Sequence, residues 1–490
     1  MAVASPARTT ALHLLGVQRR RTARARDLLR GADEMRSLGS RGRALATRLV
    51  LGVNAAAGEL DRRIDGFAAR PSQLEPRVRD ALRLAAFELL YLETPRQVAA
   101  SQGVELVRAV QPRAARMANA VLRRIADCRG EVEAARAAVA EMAAGDSRAE
   151  TRELCCVSGY PSWLVERLVE DLGAARAARA CLCALEPAPV YVSLACPDAS
   201  EADVEACLRE LGLSPRPDGL PGSWQLGGAA GLASSGLVGR GEVVVSDLAA
   251  QLVCRVAAPA SGRVLEVGQG RGTKSLLLVR AMDEIGGREA GQGGSRPEPR
   301  VVGCELVASK VGPCAERMAA AGLSGRVICV NFDGTRLGGP DVPPELAGPF
   351  DAVLVDAPCS GTGTMRRHPE IPWQLDPAAV APAGDGTLPD LQLRMLGAAA
   401  SRVAIGGELV YATCSVLSVE NEGVVDSFLE SPEGVGFERA DVASAPGVLA
   451  LSEEGRALVS SWRTEAGAFQ SSPAPGGCDG HFCARLRRVR

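Results

Sequence analysis

Two cysteines and an aspartate, each placed where a strand-like run gives way to a loop, are the residues of this chain best suited to covalent chemistry. The stretch 350–373 reads FDAVLVDAPCSGTGTMRRHPEIPW. Its apolar run over 351–355 suits a strand covered on both faces of a parallel sheet, and Asp356 and Cys359 follow where that strand must end. Open α/β sheets bind ligands in the crevice beyond such strand ends. Ser360, Gly361, Thr362 and Gly363 then allow a tight turn, and Arg366, Arg367 and His368 follow as a cationic edge. A second thiol, Cys414, closes the run 407–413 (GELVYAT), with Ser415 beside it and Asn421 at the start of a predicted helix. A thiolate is a strong nucleophile, and a carboxyl group beside it can supply a proton. Either cysteine alone reads equally well as a small buried strand residue. The pair, in polar and Gly-rich company, is expected to converge with Asp356.

What must position these residues is a parallel sheet that begins near Asp247. The run 263–267 (RVLEV) predicts its first strand, followed by Gly268, Gln269, Gly270, Arg271, Gly272, Thr273 and Lys274, with a helix from about Thr273. An acid, here Glu266, closing the first strand before G-x-G-x-G is the motif of class I S-adenosylmethionine-dependent methyltransferases, whose glycines let the cofactor approach the backbone. Rossmann dehydrogenases share much of this pattern. A phosphate-binding P-loop fits less well, because Thr273 separates Gly272 from Lys274. The run 301–304 predicts a second strand ended by Glu305, an acid placed to accept both hydroxyls of a ribose. A third, 326–330, leads to Asp333, placed to meet the adenine amine. Any one of these acids reads equally as a helix cap or a solvated turn. Glu266, Glu305, Asp333 and Asp356 at four successive strand ends read better as a cofactor crevice. Helices over 391–403 and 419–429 and strands over 436–439 and 481–486 complete a doubly wound sheet. The Gly-rich insertion 286–300 is expected to be a surface loop.

Upstream the pattern changes. Residues 8 to about 140 are rich in Ala, Leu and Arg with helical spacing and almost no strand signal, which predicts an all-α domain over 1–140. Its cluster Arg19, Arg20, Arg21, Arg24 and Arg26 reads as a solvated helix face or as an RNA surface. An acidic helical connector leads to a linker and small α+β subdomain over 150–246, with strands at 190–194 and 241–245 around a helix at 202–211. The catalytic α/β domain is expected over 247–490.

Composition sets limits. A net charge of −2 over 490 residues means that any nucleic-acid surface must be a local patch. Lys274 and Lys310 are the only lysines, retained against an evident preference for Arg, and Lys is a compact charge where Arg is a planar fork. Fifteen cysteines are scattered rather than dense, no two have C-x-x-C spacing, and three histidines offer little imidazole. No metal site is expected, and most of the thiols read as buried hydrophobes in a reducing cytosol. No apolar run has the length of a membrane span, so a soluble, cytoplasmic, monomeric protein is expected.

Adenosylmethionine and two thiols together suggest one reaction. Carbon 5 of cytosine is a poor nucleophile; a thiolate adding at carbon 6 turns the ring into an enamine that can take a methyl group, with an acid near ring nitrogen 3 assisting. The motifs DAPCSGTGTMRRHPEIPW, ELVYATCSVLSVENE and GCDGHFCARLRR, with LRLAAFELLYLETPRQVAASQGVELVR, MANAVLRRI and YPSWLVERL upstream, closely resemble the bacterial 16S ribosomal RNA cytosine-5 methyltransferases of the RsmB (Sun, Fmu) type. The resemblance implies a NusB-like RNA-binding N-terminal domain and a Rossmann-type methyltransferase domain. It implies Cys414 as nucleophile, Cys359 as the residue that helps release product, and 16S rRNA as partner. Arg366, Arg367 and His368 follow the catalytic loop directly and are expected to line its mouth, on RNA phosphate or flanking bases. One segment departs from the family. Where C-A-A-P-G-G-K-T is usual, this chain has GQGRGTKS, which keeps Lys274 and approaches the general form E-x-G-x-G-x-G. Two rival readings remain: a non-catalytic RNA-binding or assembly factor whose altered cofactor loop is inactive, and an adenosylmethionine enzyme acting on protein or a small molecule.

Overall fold

The computed structural model describes residues 4–21, 23–290, 300–382 and 384–490, which group into two compact units. The first comprises residues 1–187 with 364–375 and 473–475. It is all helix, from Pro6–Arg21 through Ala174–Cys183, as the Ala/Leu spacing predicts. Pro76–Tyr91 packs against Ser40–Ala55 and Ala57–Phe67, and Leu82, Leu84 and Phe87 of the first are buried, as are Leu49, Val53, Leu60 and Ile64 of the other two. Each such side chain contributes about 1.5–3 kcal/mol on leaving water. The segment 364–375 belongs to this unit through contacts of its own. Trp373 lies against Gly58, where a side-chain carbon would meet the indole at 1.9 Å, and Arg26 Nε donates to the carbonyl of Arg367 at 2.6 Å.

The second unit comprises residues 188–363, 376–472 and 476–490. It opens with a four-stranded antiparallel sheet, β1 (Val190–Leu194), β2 (Arg216–Pro217), β3 (Ser223–Leu226) and β4 (Val243–Val245), in the order β2-β3-β1-β4. Trp224, Leu226, Val192 and Leu194 pack there on Val204 and Leu208 of the helix Glu201–Glu210. The larger sheet contains β5 (Arg263–Val267), β6 (Arg300–Glu305), β7 (Val327–Asn331), β8 (Phe350–Asp356), β9 (Val403–Thr413), β10 (Phe437–Ala440), β11 (Phe469–Gln470) and β12 (Phe482–Arg488). Its order is β10-β12-β9-β8-β5-β6-β7, with β11 pairing β12 off this path. Strands β5 to β9 pair in parallel, whereas β12 lies antiparallel to β9, β10 and β11. The chain runs outward from β5 to β7 and returns to β8, so the switch point lies between β5 and β8.

The pleat alternates side chains between two cores. Val264, Ala352, Leu354 and Val410 enter one with the helices Leu248–Ala257 and Thr273–Ala290; Leu265, Val302, Val353, Val355 and Leu409 enter the other with Leu388–Ala400 and Glu422–Glu430. The helix from Thr273 continues to Ala290, into the stretch expected to be loop, and 291–299 lie outside the described residues. Among the described residues, no helix is long and apolar enough to cross a membrane.

Candidate active site

Sheet register brings the predicted residues together. Val267 of β5 stands opposite Val355 of β8, and Asp356 opposite Ala412 of β9, so the loops carrying Gly268, Cys359 and Cys414 leave the same sheet edge side by side. Gly268 has φ +86° and could carry no side chain there, because a Cβ would lie 2.5 Å from the carbonyl oxygen of Asp356. Gly363 is held as closely: a Cβ would meet Gly480 O at 2.0 Å, and Gly480 N donates to Gly363 O at 2.9 Å.

The two sulfurs lie 3.2 Å apart, Cys359 Sγ to Cys414 Sγ. The hydrogen bond with Cys414, and then burial, push the Cys359 thiol well above its usual range. Asp356 turns to the helix that follows the Gly-rich loop after β5, where Lys274 Nζ donates to its Oδ2 at 2.7 Å. Burial alone would lower Lys274, but Asp356, together with Cys254 and Glu266, outweighs it and the ammonium is held charged. The retained lysine is thus the partner of the strand-end acid, a pairing that the sequence did not disclose.

Other predicted residues are used differently from one another. Glu305 Oε2 accepts from Gly270 N at 2.8 Å, while its Oε1 accepts from Val307 N at 2.8 Å and from Lys310 Nζ at 3.3 Å. A carboxylate has about four lone-pair sites, so capacity remains on Oε2. Beside it Leu306 is 66% exposed, an apolar surface next to an acid at a strand end. Asp333 Oδ1 caps its own turn, accepting from Thr335 N at 2.9 Å and Thr335 Oγ1 at 2.7 Å. Gln269 Nε2 donates to Ser275 Oγ, and Ser275 Oγ donates to Glu266 Oε2. Glu266 is therefore committed to the helix behind the strand: strand parity sends it to the face of Val264, and burial pushes its carboxyl up to about 8. Arg317 Nη1 donates to Thr273 Oγ1 and to the carbonyl of Arg271.

Arg366, expected on a cationic edge, is 5% exposed and donates from Nη1 to Ala474 O at 3.2 Å within the helical unit. Arg367 and His368 are half-buried. The apolar neighbours Met365 and Pro369, themselves buried, draw this turn inward.

The sequence reading missed Glu420 and Gln392. Glu420 is fully buried and accepts from Ser360 N, Ser360 Oγ, Ser415 Oγ and Gln392 Nε2, all at or below 2.9 Å. Its signal was a second acid beside Asn421 in SVENE, which a helix cap explains as readily.

The family model for 16S rRNA methyltransferase RsmB/F matches residues 300–487, and that for the NusB family matches residues 5–127. The ribosomal RNA small subunit methyltransferase B of Thermus thermophilus is 31% identical, over 96% of this chain and 94% of its own. A putative methyltransferase of Mycobacterium tuberculosis, Rv1407, is 31% identical over 86% of each chain. Among solved structures, PH0851 superposes with a TM-score of 0.70 at 19% identity over the whole of both chains. NSun6 from Pyrococcus horikoshii with SFG does so with a TM-score of 0.50 at 15% identity, over 67% of this chain and 98% of that one. These two likenesses concern the fold.

Proposed function

This chain belongs to the RsmB/F family of 16S rRNA methyltransferases, and from that premise we propose that it methylates carbon 5 of a cytosine in 16S rRNA through a covalent cysteine adduct. The observation that carries the reading is the pair of strand-end sulfurs 3.2 Å apart beside a lysine-held aspartate. The residues present fit adenosylmethionine: at Gly270 the place a Cβ would take is open, with only Gly268 O nearby at 3.9 Å, and Glu305 keeps acceptor capacity for ribose hydroxyls next to exposed Leu306. When bound, adenosylmethionine supplies an electrophilic methyl sulfonium.

The chain's own residues do the rest. Cys414 Sγ adds to carbon 6 of the cytosine, and the bond electrons pass toward carbon 5, which takes the methyl group. Cys359 is the poorer first nucleophile, because its hydrogen bond to Cys414 and its burial keep its proton in place. A base then takes the carbon 5 proton, the electrons of that bond expel Cys414 Sγ from carbon 6, and Cys359 assists this release. Asp356, held by Lys274, would serve as the acid near ring nitrogen 3. The helical unit, matched by the NusB model, supplies an RNA-binding surface, and its Arg20 and Arg21 are exposed at the end of Pro6–Arg21.

The test is direct. Purified protein and adenosylmethionine with a labelled methyl group are incubated with protein-free 16S rRNA and, separately, with transfer RNA, and the labelled nucleosides are identified and the RNA sequenced after bisulfite treatment. One new 5-methylcytosine is expected. Label at another ring atom, or in transfer RNA alone, overturns the reading.

A further inference from the structure

We infer that Glu420 is a positioning residue whose carboxyl group sets the register of the two reacting thiols by tying both cysteine loops to one buried point. The inference rests on the reading of Cys414 and Cys359 as the reacting pair.

The cysteines sit on loops from different strands, β8 and β9, and neither loop is part of the hydrogen-bonded ladder at that point. Sheet register sets the two loops side by side, and a separation of 3.2 Å between their sulfurs needs a further tie beyond the ladder. Glu420, six residues after Cys414, supplies it. Its Oε1 accepts from Ser360 N at 2.8 Å, and its Oε2 accepts from the hydroxyls of Ser360 and Ser415. Ser360 follows Cys359 and Ser415 follows Cys414, so one carboxyl group holds the neighbour of each reacting residue. Gln392 braces the arrangement from the helix Leu388–Ala400, donating from Nε2 to Glu420 Oε1 and to Pro358 O, both at 2.9 Å.

The loops are tied further. Thr362 Oγ1 lies 3.1 Å from Ser415 Oγ and accepts from Val416 N at 3.1 Å, while Gly363 N donates to Cys414 O at 2.9 Å. Glu420 is itself fixed at its main chain, where Tyr411 Oη donates to its carbonyl at 2.6 Å. Glu420 is 0% exposed. The residue is thus placed to position and not to touch RNA or cofactor.

The hydrogen-bond inventory separates a positioning role from a charge role. In Glu420→Gln, the amide oxygen can take the place of Oε1, facing Ser360 N and Gln392, and the amide nitrogen can face the two hydroxyls, which rotate to accept. In Glu420→Ala, four donors lose their acceptor and the loops come apart.

Two readouts apply. Without RNA or cofactor, diamide takes two electrons and two protons from a thiol pair to form a disulfide, and the rate of Cys359–Cys414 bonding is followed by peptide mass spectrometry. The Cys314–Cys329 pair, also 3.2 Å apart, is an internal control that Glu420 does not bond. With substrate, kcat and the KM for adenosylmethionine are measured. Glu420→Ala is expected to slow Cys359–Cys414 bonding about tenfold and to lower kcat about 100-fold, the scale of a small misplacement of reacting groups. The Cys314–Cys329 rate and the KM should hold, and Glu420→Gln should recover both readouts to within a few-fold. Unchanged bonding and turnover in Glu420→Ala overturn the inference. So does a Gln variant that bonds normally but turns over like Ala, which would mean that charge is what matters. If Glu420→Ala fails to fold, seen as an altered Cys314–Cys329 rate, Ser415→Ala removes a single tie and must still slow Cys359–Cys414 bonding. A wild-type protein that leaves rRNA unmethylated while its thiol pairing follows Glu420 sinks the functional reading and not the positioning role.

Discussion

Two pairs of thiols in the larger sheet approach to the same 3.2 Å, and their surroundings differ. Cys314 and Cys329 join the helix Ala308–Ala320 to the middle of β7; Cys314 is fully buried in an apolar core with Met318. Its thiol is driven up by its hydrogen bond to Cys329 and then by burial, and Cys329 is correspondingly lowered. Cys359 and Cys414 instead stand past the ends of β8 and β9, among Ser360, Thr362, Ser415 and Glu420. Proximity of sulfurs is therefore not what makes a site. Position at a strand end, where backbone leaves the ladder and polar side chains can be organised, is what separates the second pair from the first.

The largest expected effect tests that distinction. Cys414→Ser should abolish methyl transfer, at least about 1000-fold, and leave no adduct, because a hydroxyl lacks the low pKa and polarisability of a thiol. Cys359→Ser should permit addition and methyl transfer but slow breakdown, so that protein remains joined to rRNA on a denaturing gel. A protease-sensitive shifted band from Cys414→Ser, with none from Cys359→Ser, would reverse the two roles.

The strand-end pair was legible because strand parity, Gly-rich turns and residue chemistry all act locally. The doubly wound sheet and the helical N-terminal unit followed from the same periodicities. What stayed hidden depends on partners distant in sequence. Lys274 meets Asp356 across 82 residues, and Cys314 meets Cys329 from a different element. Glu420 reads as a cap until Ser360, sixty residues away, is seen to reach it. Arg366 looks cationic and exposed in sequence, yet it is enclosed with the helical unit. Glu266 is at the expected strand end, but parity turns it to the helix behind.

The next effect is that of Lys274. Lys274→Met keeps the length of the side chain and removes the ammonium that holds Asp356 at 2.7 Å. Loss of one charge-assisted hydrogen bond is about 1.5–3 kcal/mol, or about 10- to 100-fold in rate. Methyl transfer and adduct yield should fall together by that amount, with the melting temperature little changed. A kcat within twofold of wild type would mean that Asp356 is held by something else.

Glu266 offers an effect on stability and not on rate, read through pH. Burial raises its folded-state pKa to about 8, against an ordinary glutamate near 4.5. Below about 4.5 the group is neutral in both states and carries no penalty. As pH rises from there to about 8 the unfolded chain releases a proton that the folded chain retains, so stability is lost over that window and levels off above it. Glu266→Gln, neutral throughout, should remove that share of the slope in urea melts between pH 5 and 8. Parallel wild-type and variant curves would show that the carboxyl is not held protonated.

The smallest effect belongs to the other thiol pair, and it bears most closely on the comparison. Cys329 is partly exposed on β7 and is lowered by its hydrogen bond to Cys314, with Gln269 of the cofactor loop as a further hydrogen-bonding neighbour. Serine is close to cysteine in volume and can keep a polar contact with either neighbour, so Cys329→Ser removes a sulfur without opening a cavity. Stability should change by less than about 1 kcal/mol, as for most changes without a cavity or an orphaned polar group. Adduct partition between Cys359→Ser and Cys414→Ser backgrounds should be the same with or without it, because neither loop bonds Cys329. Adenosylmethionine affinity, measured by calorimetry, is the sensitive quantity: Gln269 could pass a disturbance to the loop, and a shift of more than a few-fold would show that this pair serves the cofactor site. A loss of methyl transfer equal to that of Cys359→Ser would break the comparison altogether, since a thiol pair in a core would then matter as much as one at a strand end.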